Sequence, residues 1–361
     1  MPDTHASLAA WLRLTLIPGV GGDSQRRLLA SFGLPEAIFA ADTQALVAVV
    51  GAVAARALLR EDVAAAIEAG LDWADKPGNQ LLTLADADYP QALLNSADPP
   101  ILLYLTGRSD ILNRKSLAIV GSRNPTAQGA IDAGAFAASL AQAGLTIVSG
   151  MALGIDAAAH RGALGSSAST VAIIGTGADR IYPPSHKDLA HAISAEGAIL
   201  SEFPLGTPPL ASNFPRRNRL IAAMTQGCLV VEAAARSGSL ITARLAAECG
   251  REVFAIPGSI HSPLARGCHQ LLKQGAKLVE SAQDILDELR WPQRLAPMRA
   301  PAVDAGPGAA LLSVLGPEAC AIDTLVERAG LTPDALIAML LQLELEGRVA
   351  SLPGGLYQRL M

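Results

Sequence analysis

The sequence predicts an α/β protein whose centre is a doubly wound, mostly parallel sheet, flanked by a small helical head and a winged-helix tail. Three observations carry this. From Ser116 to Ser281 short apolar runs alternate strictly with amphipathic stretches. The runs are too continuous to alternate in polarity, as expected of strands buried on both faces. On either side the character changes, to Ala-rich helical segments broken at Pro18-Gly19 before the block and to a helix-turn-helix followed by a glycine-turned hairpin after it.

The head, residues 1–75, reads as short helices: an apolar run from Ala9 to Ile17, the break Pro18-Gly19-Val20-Gly21-Gly22, then Gln25 to Phe32, with further segments after Pro35 and Gly51. Helix, Pro-Gly-Val-Gly turn and helix fit a helix-hairpin-helix that offers backbone N–H groups to a phosphate, and also fit an ordinary αα-hairpin. The central domain is expected over 76–290, opening with a proline-punctuated passage, residues 76–107, that holds one or two strands. Further strands are expected at 117–121, 145–150, 170–175, 197–202, 228–233, 252–258 and 277–281. The helices between them fall at 127–142, 154–164, 185–195, 215–224, 238–249 and 267–274. Residues 291–308, rich in Pro, Ala and Gly, form a linker. In the tail, residues 309–361, Thr332 caps the last helix and Pro333 opens it. That helix carries Asp334, Glu344 and Glu346 and no Lys or Arg, whereas a groove-reading helix needs basic or amide side chains. Protein contacts or packing are therefore expected of the tail rather than DNA reading.

The 361 residues suffice for two or three domains, and a composition half hydrophobic and only 17% charged suits a well-packed protein. Asp3 and Arg13 interrupt the pattern of an export signal, and no window approaches 18 uninterrupted apolar residues, so a cytoplasmic protein with no membrane contact is expected. Cys228, Cys249, Cys268 and Cys320 are scattered without a C-x-x-C pair, which fits reduced thiols better than disulfides or a zinc site. The net charge of −5 is uneven. Residues 108–290 hold 17 Lys and Arg against 14 Asp and Glu, while residues 1–79 and 305–361 are each net −3. An anion-binding surface belongs to the centre.

In doubly wound sheets ligands bind beyond the carboxyl ends of the strands. The strand ends here put Ser122, Arg123, Ser149, Gly150, Gly154, Ser237 and Ser239 on one rim, where glycine admits a close backbone approach and each following helix offers its N-terminus, so the rim suits several phosphates in a row. The most basic window, Ser212 to Met224, sets Arg216, Arg217 and Arg219 beside Phe214. Pro215 suits the first position of a helix, which places the arginines in its first turn near the positive end of the dipole; a solvated arginine face is the alternative. Phe214 offers a flat face on which a base of a single strand can stack.

Nucleotide fingerprints are missing. The first turn reads GSRNPTAQG rather than G-x-G-x-x-G, Gly175-Thr176-Gly177 lacks a third glycine, and there is no G-x-x-x-x-G-K-[ST] loop, so no cofactor is expected. Asp156 and His160, one helical turn apart, fit a metal or an acid/base pair but read more simply as a helix-start carboxylate and a hydrogen-bonded histidine. Glu232 and Glu202 are the carboxylates best placed for chemistry, and neither has a nucleophile or base at a telling spacing, so no catalytic or metal residue is assigned. Ser237-Gly238-Ser239 reads as a phosphate cradle or a plain N-cap.

The segments IVGSR (119–123), SGMALGIDAAAH (149–160), YPPSHK (182–187), SEFPLG (201–206), FPRRNR (214–219), SGSLITA (237–243) and GCHQLLKQGAKL (267–278), in that order, closely resemble the DNA-processing protein A family (DprA, also called Smf) of bacterial transformation proteins. The resemblance runs over essentially the full length. It implies an extended Rossmann-like domain, between a helix-hairpin-helix or SAM-like head and a winged-helix tail, that binds single-stranded DNA, forms a homodimer and loads the RecA recombinase on incoming strands. It further implies DNA contacts at Arg123, Lys187, Phe214 and the Arg216-Arg217-Asn218-Arg219 segment. The dimer surface falls on the last helix and strand of the sheet, with His269, Leu271, Leu272 and Leu278, where KLVES is expected to form an edge that needs covering. The competing class is a Rossmann enzyme hydrolysing nucleotide N-glycosidic bonds, because Glu232 with ARSGS (235–239) loosely echoes its phosphate loop and glutamate.

Overall fold

The structure, a computed structural model, describes residues 4–292, 308–315, 319–352 and 354–360. The head is built of α1 (Thr4–Leu16), α2 (Gly22–Phe32), α3 (Pro35–Ala40), α4 (Thr43–Arg60) and α5 (Ala64–Ala74). Gly19, at φ +81°, turns the chain between α1 and α2. α4 is two helices meeting at Gly51, whose φ of 78° and ψ of 166° are not helical. By length and hydropathy this is the one candidate membrane span among the described residues, yet its Leu46, Ala54, Ala55 and Leu58 pack into the head's own core. That core continues into Leu81, Ile101, Leu102 and Tyr104 of the sheet, and Trp73 meets the Tyr104 ring edge-on at 5.5 Å, so the head is seated on the sheet.

The central domain runs β1 (Asn79–Thr83), α6 (Gln91–Leu94), β2 (Leu102–Gly107), β3 (Ser116–Val120), α7 (Ala127–Gln142), β4 (Thr146–Ser149), α8 (Ile155–Ala163) and β5 (Thr170–Ile173). A 3₁₀ turn, Pro184–His186, precedes α9 (Lys187–Glu196), and β6 (Ala198–Ser201), α10 (Asn213–Met224), β7 (Gly227–Val230), α11 (Ser239–Glu248), β8 (Glu252–Ala255), α12 (Arg266–Lys273), β9 (Lys277–Leu278) and α13 (Ala282–Glu288) follow. The nine strands lie in the order β1-β2-β6-β5-β4-β3-β7-β8-β9. β3 to β9 are parallel, while β2 joins β6 and β1 joins β2 antiparallel, so the mostly parallel sheet has one antiparallel flank. Successive side chains of a strand enter opposite layers. Ala118, Val120 and Val230 accordingly pack under α10 and α11 residues such as Leu220 and Ala243, while Leu117, Ile119 and Leu229 pack against α7 and α8 residues such as Ala137 and Ala159. Glycine sets the spacing of that second layer: a Cβ on Gly162 would lie 2.2 Å from the Gly134 carbonyl oxygen, so α7 and α8 cross almost backbone to backbone. β9 is the outer strand, as the KLVES reading requires.

The tail comprises α14 (Ala309–Leu315), β10 (Cys320–Ala321), α15 (Ile322–Ala329), α16 (Pro333–Leu345), β11 (Val349–Leu352) and β12 (Leu356–Arg359), with sheet order β10-β12-β11, a winged helix. Thr332 caps α16 by accepting the Ala335 N–H at 3.4 Å. The face of α16 turned to solvent carries Ile337, Leu341 and Leu345. Most of the expected linker, residues 293–307, lies outside the described residues. Its first residue, Trp291, belongs to the central domain, donating its indole N–H to the Ala143 carbonyl at 2.8 Å.

Candidate nucleic-acid interface

β3 has β4 on one side and β7 on the other, so the chain leaves it in opposite directions and the strand ends diverge there. A cleft of about 670 Å³ opens at that point, walled by Gly121, Ser122 and Arg123 after β3, by Ser237 to Ser239 at the start of α11, and by Phe214, Arg217 and Asn218 of α10.

The segment joining β4 to α8 is a scaffold for this cleft. Asp156 Oδ2 accepts the Gly150 and Ala152 N–H groups at 3.1 and 3.2 Å, and His160 Nε2 accepts the Met151 N–H at 3.2 Å. Thr170 donates its hydroxyl to the Ile147 carbonyl, so at 2.7 Å it accepts from His160 Nδ1, which fixes the neutral imidazole with its proton on Nδ1. His186 Nδ1–H donates to the Met151 carbonyl at 3.0 Å and holds Met151 at φ 56°. Asp156 and His160 are thus fully used in shaping a turn, the simpler of the two readings open from sequence. Ser149, expected on the rim, is buried and donates its hydroxyl to the Ile119 carbonyl at 2.6 Å, beneath the rim rather than on it. Gly150 is a glycine because a Cβ there would fall 1.6 Å from the Arg217 Nη1.

Burial, reinforced by the positive Arg217 and Arg161, pulls the His160 pKa down to about 3. The unfolded chain takes up this proton near 6.5, so the residue costs nothing at pH 7 and the fold loses stability as the pH drops below 6.5 toward 3, by roughly 1.4 kcal/mol per unit. Going from pH 7 to pH 5 is expected to cost about 2 kcal/mol through His160. Urea titrations of the wild type and His160→Gln at both pH values check this: the variant's acid loss should be smaller by that amount, and equal losses would contradict a neutral His160.

The three arginines do not share a surface. α10 begins at Asn213, whose side-chain amide donates to the Gly175 carbonyl at 3.1 Å, so Pro215 is its third residue and the arginines lie beyond the first turn. Arg217 is buried, donates from Nη1 to the Ile173 carbonyl at 2.7 Å and leaves Nε without a partner; burial lowers its pKa to about 10 against the pull of Asp156. Arg216 and Arg219 turn the other way, both onto Glu202 Oε2, the first at 3.2 Å. Arg219 also bonds the Asp98 carbonyl, with Nε 3.5 Å from the Asp98 carboxylate, and Asp98 is paired in turn with Arg26 of α2. Burial raises the Glu202 pKa despite both arginines. Arg219 therefore links the central domain to the head through Asp98 and Arg26, Arg216 stays on Glu202 within the central domain, and both stand outside the cleft.

Phe214 does face the cleft. Half-buried, it has the Tyr182 ring 5.8 Å away and tilted by 41°, and the Arg123 guanidinium 5.7 Å from its own centroid. Tyr182 stood in the YPPSHK motif with no role assigned to it, although an aromatic after a strand, in a chain with 4% aromatics, was a usable signal; it is exposed. Arg123 is exposed. Lys187 is exposed at the first residue of α9 but does not line the cleft. Ser122 Oγ accepts the Asn124 N–H at 3.1 Å, and Gly154, at φ +78°, packs its turn against the Ser122 carbonyl. Ser237 and Ser239 share a hydroxyl contact of 2.6 Å, with Gly238 in the cap position.

Glu232 binds the Thr126 N–H and hydroxyl at 2.9 and 2.6 Å, fastening the start of α7 instead of standing free as a base. Among the described residues no group of three His, Cys, Asp or Glu side chains is gathered to hold a metal. On the expected dimer surface, His269 donates Nε2–H to the Gly258 carbonyl at 2.9 Å, Leu272 is half-buried and Leu278 is 53% exposed. Leu271 is buried within its own protomer against the central core, so it has little surface to offer a partner.

The family model for DNA recombination-mediator protein A matches residues 80–290, more than half the chain, and that for the DprA winged helix domain matches 296–355. The chain belongs to the DNA recombination-mediator protein A family. This is the family that the strand-end motifs resemble. Protein Smf of Escherichia coli is 43% identical over 304 residues, 81% of each chain, and DNA processing protein DprA of Streptococcus pneumoniae is 46% identical over 209 residues, 58% of this chain and 74% of its own. The X-ray structure of the Streptococcus pneumoniae protein matches with a TM-score of 0.68 at 37% identity, over 80% of this chain and 99% of that one. DNA processing protein A from Helicobacter pylori, whose structure reports a single-stranded DNA binding mode, matches with a TM-score of 0.53 at 33% identity, over 58% and 96%.

Proposed function

We propose that this protein is a DNA-processing mediator that binds single-stranded DNA in the cleft at the end of β3 and β7, without enzymatic turnover. The observation that carries this reading is the Phe214 ring at the cleft mouth, flanked by Tyr182 and Arg123, with the buried Arg217 behind it. A base stacks on the ring and its phosphates meet the guanidinium groups; a duplex withholds its base faces and gains less. Ser122, Arg123, Gly150, Phe214, Arg217, Asn218, Ser237 and Ser239 form the contact set, with Lys187 beyond its rim. The family membership and the single-stranded DNA binding of the Helicobacter pylori relative support it. In the cell the protein, cytoplasmic and dimeric, would protect incoming strands in natural transformation and pass them to RecA.

Gel shifts comparing single-stranded with duplex DNA, repeated over a salt series, test the reading. Arg123→Ala and Lys187→Ala should each flatten the slope of log affinity against log salt by about 0.7, while Arg216→Ala with Arg219→Ala should change it little, because those side chains are paired with Glu202. Equal affinity for duplex would sink the proposal, as would sustained release of free base from nucleoside monophosphates, which would favour the hydrolase.

The proposed dimer surface is the outer edge of the sheet, where β9 leaves Leu278 exposed and α12 leaves Leu272 half-exposed. Leu272→Asp with Leu278→Asp should give a folded monomer by light scattering, and an unchanged dimer mass would refute that placement.

A further inference from the structure

A second opening, of about 620 Å³, lies between α11 and α12. Its walls carry Arg236, Arg244 and Arg251, against one lining carboxylate, Glu252. Ser237 and Ile241 line both this groove and the cleft, so the two meet at the start of α11. Resting on the reading of the cleft as a single-stranded DNA site, we propose that this groove is a second strand-binding track, which takes the phosphates of the same single strand after it leaves the cleft.

The cations are available to a ligand. Among the described residues Arg236 has no hydrogen bond or ion pair. Arg244 has only Glu248, 3.6 Å away with both side chains more than half exposed, a surface pair that a phosphate replaces at little cost. Arg251 donates from Nη2 to the Ala223 carbonyl at 3.3 Å and keeps a buried Nε with no partner. Arg236 precedes α11, Arg244 lies on it and Arg251 follows it, and the ten residues of that helix span about 15 Å at 1.5 Å per residue, so the three meet successive phosphates and not a single anion. Leu240 and Val253, both half-buried, give the floor an apolar character that accepts the faces of unpaired bases. A duplex, with its bases stacked inside, has nothing to lay on such a floor.

The track predicts that affinity depends on strand length, and the test uses the full chain with oligothymidylates, a short one of about 5 nucleotides that fills the cleft and a long one of about 20. Fluorescence anisotropy should show the wild type binding the long strand at least about tenfold more tightly. Arg236→Ala with Arg244→Ala, both on exposed side chains, should leave the short strand within about twofold while removing most of the gain on the long one and flattening its salt slope by about 1.4. Arg251→Ala, with a thermal melt beside it, should act the same way by about half as much. If the double variant binds the long strand with the wild-type affinity and slope, the track does not exist. If the wild type binds neither strand, the reading of the cleft fails and takes the track with it. If light scattering shows that the double variant loses mass, the groove is an interface between copies of this chain and the proposal is overturned.

Discussion

Gly154→Ala is expected to destabilise the protein by about 2–6 kcal/mol and to remove strand binding with it. At φ +78° and ψ −122° the residue sits where only glycine rests without strain, and another side chain there costs about 1–3 kcal/mol. The added methyl also has no room: its carbon would fall 2.3 Å from the Ser122 carbonyl oxygen and 2.8 Å from the Arg123 carbonyl carbon. Both are backbone atoms of the loop that carries Arg123, and overpacking of this kind adds about 1–3 kcal/mol. Relief comes only by pushing that loop away from the cleft. For a domain of this size the loss corresponds to a Tm lower by roughly 4–24 °C. Calorimetry with parallel binding assays decides it; a melting point within a degree or two of the wild type would mean that turn and loop part freely.

Phe214→Ala is expected to weaken single-stranded DNA binding by about 1–3 kcal/mol, roughly 5- to 150-fold, with the salt slope unchanged because no charge is lost. The ring is half-buried, with one edge against Gly175, where an added Cβ would come within 3.1 Å of it. Phe214→Leu separates the two roles, since leucine keeps most of the packing and offers no flat face. It should bind as poorly as the alanine variant while melting like the wild type. Wild-type affinity in the leucine variant would show that no base lies on the ring.

The parallel sheet was legible because buried strands and the helices between them obey local patterns. α7 runs from Ala127 to Gln142, the range its periodicity predicts, with Thr126 as its cap. α13 was passed over although Ser281 and Asp284 form a capping box, a signal readable at the sequence level. The antiparallel flank of β1 and β2 was not legible, since direction is decided by which strand edge is free. Of the strand-end glycines and serines, Ser122, Ser237 and Ser239 line the cleft, whereas a tertiary bond to Ile119 draws Ser149 beneath it. The basic window misled by its charge alone. At 100° per residue Arg216 and Arg219 share a side of the helix and Arg217 does not, and no periodicity in the window tells that Glu202 waits on one side and Asp156 on the other.

The place of β3 in the sheet also bears on how the chain is made. Ala118 pairs with Val148 on one side, a partner 30 residues later, and with Cys228 on the other, 110 residues later. At about 5–20 residues per second of synthesis, β3 has one neighbour for some 4–16 s before β7 emerges to cover its second edge. Throughout that interval an apolar strand, Ser116–Val120, presents unpaired N–H and C=O groups, the kind of edge that recruits other chains. The two walls of the cleft, one after β3 and one after β7, come together only at the step that closes this edge. A nascent or truncated chain is for that reason sticky before it is ever able to hold DNA, and the act of becoming competent is the same act that makes the protein safe.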